Sequence, residues 1–93
     1  MILHIIQHSA AQDNALATCL RYQQTQDTVM LIGDGVNSLL LAKWRNELAK
    51  LNLCLLEQDV IARGLQQILS NYRQLSQAEF VELTLTHAKV ITW

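Results

Sequence analysis

Short apolar runs recur along the chain, divided by polar turns and by stretches of helical periodicity. The clearest case is residues 28–51. Val29, Met30, Leu31 and Ile32 form an unbroken apolar run, which suits a strand buried on both faces. The chain then turns through Gly33-Asp34-Gly35 and enters a predicted amphipathic helix. Leu40, Leu41, Trp44, Leu48 and Leu51 line one side of it, and Lys43, Arg45, Asn46, Glu47 and Lys50 the other. A strand, a tight turn and a helix packing back make half of a βαβ unit.

The same alternation runs through the rest of the sequence. Residues 2–7 (ILHIIQ) read as a first strand. Ser9 and Gln12 have capping-box spacing before a helix predicted over residues 10–24, with Ala15, Leu16, Cys19 and Leu20 facing inward. Residues 53–56 (LCLL) read as a third strand. Asp59 is placed to cap a short helical turn over residues 60–63, and Gly64 to end it. A short strand is expected near residues 72–75. Ser76 and Glu79 then repeat the capping-box spacing before a last helix, residues 77–86, that buries Phe80, Leu83 and His87. Residues 90–93 close the chain as a strand. The expectation is a small three-layer α/β domain spanning residues 1–93, with a mostly parallel sheet of four to five strands flanked by helices.

Composition narrows the functional classes. A chain of 93 residues buries only about 60–65% of its unfolded surface. Yet 51% of its residues are hydrophobic, which favours apolar surface kept for a partner. Seven basic residues against eight acidic ones, mostly scattered, leave no basic footprint for direct nucleic-acid binding. No apolar run approaches the roughly 20 residues that span a membrane. The two cysteines make no disulfide framework, and the start of the sequence has no signal-peptide pattern. A cytoplasmic protein is expected.

In parallel α/β sheets function sits at the carboxyl ends of the strands. Those ends are Gln7-His8-Ser9, Gly33-Asp34-Gly35, Glu57-Gln58-Asp59 and, after the short strand near residues 72–75, Leu75-Ser76. Gly33 and Gly35 give G-x-G, but Ser38 stands where a dinucleotide fingerprint wants a third Gly or Ala, so nucleotide binding is a partial match. His4, His8 and His87 lack metal-ligand spacing, and structural histidines are the default. No cofactor is expected. Asp34, Glu57 and Asp59 could gather at one end of the sheet, as paired carboxylates for acid–base work or as solvated caps. Cys54 lies within an apolar strand, and Cys19 beside Leu16 and Leu20, both settings of inert core thiols.

Several short segments, in order and over almost the whole length, resemble the TusB/DsrH family. They are Leu3-His4 at the start, Asp34-Gly35-Val36, the run Asp59-Val60-Ile61-Ala62-Arg63-Gly64-Leu65, Phe80-Val81-Glu82-Leu83-Thr84, and the closing Trp93. The resemblance implies a subunit of a sulfur-relay complex, a dimer of heterotrimers with TusC-like and TusD-like chains. That complex hands persulfide sulfur to a TusE-like acceptor for 2-thiolation of wobble uridine in tRNA. Its essential cysteine belongs to the TusD-like chain, which leaves mainly an assembly role here. The DsrH branch, which serves sulfur oxidation, carries a cysteine in a setting similar to Cys19. Cys19 as sulfur carrier therefore stands as the alternative, with a cation such as Arg63 or a partner subunit to activate it. Asp59, Arg63, Gly64 and Trp93 are the candidate interface residues.

Overall fold

The structure, a computed structural model, describes residues 1–93. Five strands, β1 (Ile2–Ile6), β2 (Thr28–Leu31), β3 (Asn52–Leu56), β4 (Gln74–Leu75) and β5 (Lys89–Thr92), form one sheet in the order β4-β3-β2-β1-β5. Every pairing is parallel. The chain winds outward from β1 to β4, then crosses back to lay β5 on the other side of β1. The expected α/β architecture is therefore the observed one.

Side chains alternate across the sheet because successive residues of a strand point to opposite faces. Ile6, Val29, Leu31 and Leu55 belong to a core of twelve buried residues covered by α1 (Ala15–Tyr22), a 3₁₀ helix (Gly33–Leu40), α2 (Ala42–Leu48) and α3 (Glu57–Ala62). Leu3, Ile5, Met30, Cys54, Leu56 and Leu75 face the other way, beneath Phe80 and Leu83 of α4 (Gln77–Thr86). This second layer is thin. No residue of α4 is fully buried, and Val81 and Leu85, one turn apart, are 50% and 79% exposed.

Three expectations are corrected. The first helix begins at Ala15, not at residue 10. Ser9 makes a tight turn instead of a capping box: its carbonyl accepts from Gln12 N–H and Asp13 N–H, and its hydroxyl from Ala11 N–H. The single helix predicted after Gly35 is two. A 3₁₀ helix has three residues per turn, which shifts the inward face. Val36 and Leu39 fill the core, while Leu40 and Leu41, expected inside, are 43% and 46% exposed at the break. Third, α3 starts at Glu57, and Asp59 caps no residue of its own helix.

Two local signals hold. Ser76 Oγ accepts from Glu79 N–H at 3.2 Å while the Glu79 carboxylate accepts from Ser76 N–H at 2.9 Å, a complete capping box. Gly64 ends α3 at φ +67°. Its N–H reaches Ile61 O, and Leu65 N–H reaches Val60 O, which is a Schellman closure with Leu65 and Val60 together in the core.

Candidate functional site

The glycine turn after β2 is held from three sides. Gly33 adopts φ +53°, which favours glycine. Asp59 Oδ2 accepts from Gly33 N–H at 2.7 Å. Arg63 Nη2 donates to Asp34 Oδ1 at 2.7 Å, and its Nη1 donates to Asp59 O at 3.3 Å. Gly35 lies so close to β1 that a Cβ there would sit 2.4 Å from Ile6 O. Ser38 is buried, and its hydroxyl accepts from Ala10 N–H at 3.0 Å. The G-x-G turn is thus explained by backbone geometry, and a carboxylate already takes the N–H a phosphate would use. That removes the support for the nucleotide reading.

Of the predicted residues, Asp34, Asp59 and Arg63 come together at the strand carboxyl ends, with Gly64 adjoining; Glu57 is exposed beside them. Their mutual bonds make a brace between the β2 turn and α3. The Arg63–Asp34 pair is partly exposed, so solvent screening keeps its worth small. Arg63→Ala is expected to lower unfolding free energy by no more than about 1 kcal/mol. Urea unfolding checks this, and a loss well above that value would mean the brace carries the fold.

A second cluster lies on the other side of the sheet's centre, and sequence reasoning missed it. His4 points from β1 into the α1 side, and its Nε2 lies 2.9 Å from Asp27 Oδ2. Asp27 also accepts from Ile2 N–H at 3.0 Å and Gln24 N–H at 3.1 Å. Trp93 Nε1–H donates to His4 Nδ1 at 3.1 Å. The indole stacks between the His4 ring and Tyr22, at centroid distances of 6.1 and 6.2 Å. Burial alone would raise the Asp27 pKa, but the bonds from His4, Gln24 and Ile2 outweigh it and hold the carboxyl below its usual range. The available signal was His4 itself: a polar residue inside the run ILHII must find a buried partner.

Neither cysteine is activated within this chain. Cys19 is fully buried among Leu16, Val29 and the other residues of the large core. Burial, reinforced by the negative charge of Asp27, pushes its thiol up to about 12. Arg63, the cation considered for its activation, is engaged by Asp34 and Asp59 instead. Cys54 is likewise buried on the opposite face, and burial raises its pKa despite the opposing charge of Arg73. His8 is exposed; His87 bonds Leu83 O through Nδ1 and the Thr28 hydroxyl through Nε2. No helix is long and apolar enough to cross a membrane.

Fold and site together define a small parallel-sheet α/β chain whose strand-end residues brace one another and whose thiols are kept neutral in the core. A family model described as "DsrH like protein" matches residues 8–90. The chain is 36% identical to Protein TusB of Yersinia pestis (strain Pestoides F), over 99% of its own length and 100% of that protein's. Protein TusB of Yersinia pseudotuberculosis serotype O:1b (strain IP 31758) matches equally, at 36% identity. The chain belongs to the TusB/DsrH family. Two solved structures share its fold at lower identity. Conserved protein BT1422 of Bacteroides thetaiotaomicron, of unknown function, gives a TM-score of 0.75 at 12% identity, covering 99% of this chain and 94% of that one. Protein Tm0979 of Thermotoga maritima gives 0.67 at 20% identity, covering 91% and 92%.

Proposed function

We propose that this chain is a cytoplasmic subunit of a sulfur-relay complex that passes persulfide sulfur toward 2-thiolation of wobble uridine in tRNA, and that its own part is mainly assembly. The full-length match to TusB carries this reading. Its partners are then TusC-like and TusD-like chains in a hetero-hexamer, with a TusE-like acceptor downstream.

The assembly role draws support from the chemistry of Cys19. A relay cysteine attacks as a thiolate, and a thiol pushed up to about 12 is protonated at neutral pH. The isolated chain thus offers no activated thiolate at Cys19, which fits a reacting sulfur carried by a partner. Further support comes from the apolar surface left on α4 and β5, where Val81, Leu85 and Val90 are exposed.

The test is co-expression of the tagged chain with the related subunits, followed by native mass spectrometry and measurement of tRNA 2-thiouridine. A stoichiometric complex is expected, and Cys19→Ala should keep both the complex and thiolation. A stable monomer that ignores those subunits would overturn the assembly role. A complete complex that loses thiolation on Cys19→Ala would make Cys19 the carrier instead.

A further inference from the structure

The His4–Asp27–Trp93 cluster fixes where its protons are. An indole N–H only donates, so His4 Nδ1, which receives it, carries a lone pair. The other ring nitrogen, Nε2, then bears the proton and donates it to Asp27 Oδ2. The ring is held in one tautomer by these two bonds and is 1% exposed. Its basic atom is Nδ1, which accepts the indole N–H and is covered by the Trp93 side chain.

We propose that Trp93 is a proton-released latch: taking up one proton at His4 Nδ1 breaks the indole bond and undocks the C-terminal tryptophan while the rest of the fold stays intact. The proton comes from solvent and takes the lone pair that accepted the indole N–H. Two N–H groups would then face each other across 3.1 Å, so the indole must leave. Because the indole lies over Nδ1, lifting it and protonating the ring are one event. The imidazolium keeps a full partner, since Asp27 remains bound at Nε2 and gains charge assistance. That is why release is local.

The ionisable groups on the elements packed around His4 are few. Asp27 precedes β2, and Cys19 and Tyr22 come from α1. Met1, Arg21 and Lys89 are exposed to solvent. Among these groups Asp27 alone bonds the ring, at Nε2. Only the side chain is released, at the end of an edge strand that pairs only with β1; the Trp93 backbone N–H stays bonded to Ile5 O at 2.9 Å. Trp93 also packs on the core that holds Cys19, so undocking uncovers apolar surface on the α1 side.

The experiment is NMR titration of the full chain between about pH 8 and about pH 5, the span in which histidines change charge. Long-range ¹H–¹⁵N spectra report the His4 tautomer, and the Trp93 indole N–H reports docking. Expected at the upper end are Nε2–H on His4 and an indole signal protected from exchange. With falling pH, His4 protonation and loss of indole protection should share one midpoint, with backbone signals of β2 and β3 unmoved. A Trp44→Phe chain, in which Trp93 is the sole tryptophan, should show a red-shifted emission and a several-fold rise in acrylamide quenching over that same step. The proposal is overturned if His4 protonates while the indole stays protected. It is equally overturned if His4 stays neutral until the whole fold is lost, or if the indole is released with no change at His4.

Discussion

Gly35→Ala is expected to destabilise the chain by about 3 kcal/mol, the upper end of the cost of overpacking. The new Cβ would lie 2.4 Å from the Ile6 carbonyl oxygen and 3.1 Å from its carbon. Both are backbone atoms, so no side chain can swing away. The same carbonyl accepts from Ile32 N–H at 3.0 Å, which ties the end of β1 to the end of β2. Relief would have to come from parting those strands or lifting the 3₁₀ helix off the core residues Val36 and Leu39. A domain of this size has a total stability of about 5–15 kcal/mol, so the loss is a large share of it. Gly64→Ala is the control. Nothing lies within 4 Å of a Cβ there, and only the positive φ resists, at a cost of about 1 kcal/mol. Urea unfolding of both variants decides the matter. Equal losses would mean that the approach of Gly35 to Ile6 relaxes freely.

The contrast between those glycines shows what the sequence made legible. Gly64 could be assigned because its cause is local: it ends the helical turn read over residues 60–63 and precedes Leu65, which returns to the core. The Ser76–Glu79 box is local in the same way. The strands were legible as apolar runs because a parallel sheet buried on both faces needs no alternation. Gly35 was read as part of a turn, but its reason lies on β1, 29 positions back at Ile6. Asp59 was read as a helix cap because Asp before a helical stretch commonly is one; the Gly33 N–H that claims it is 26 residues away. The break at Leu41 was hidden because apolar residues at 40, 41, 44, 48 and 51 fit one α-helical stripe. The 3₁₀ winding of residues 33–40 rotates Leu40 off that stripe. The His4 cluster joins residues 23 and 89 positions apart, a pairing that no periodicity encodes.

Asp27→Asn is expected to cost about 3 kcal/mol at neutral pH, in keeping with the loss of hydrogen bonds to a buried charged group. The change is nearly isosteric, so packing hardly enters. The hydrogen-bond inventory decides it. Asp27 Oδ1 accepts from Ile2 N–H, and Oδ2 accepts from Gln24 N–H and His4 Nε2–H. An asparagine offers one acceptor oxygen and one amide group that only donates. Whichever way it turns, its NH₂ meets at least one donor at a site that is 4% exposed. The effect has a definite pH dependence. The folded-state pKa of Asp27 lies below its ordinary value of about 3.9, because its hydrogen bonds outweigh burial. A depressed folded pKa means that the unfolded chain takes up the proton first as pH falls. The stabilisation is therefore complete above the ordinary value and drains away as pH drops through the lower folded one. The gap in unfolding free energy between the parent chain and Asp27→Asn should be fully present from neutrality down to about pH 5. Below about pH 4 it should narrow steadily. Urea unfolding of both chains over this range measures the gap directly. A gap that stays constant to pH 2, or one below about 1 kcal/mol at pH 7, would show that the Asp27 carboxylate is not what holds His4, Gln24 and the start of β1 together.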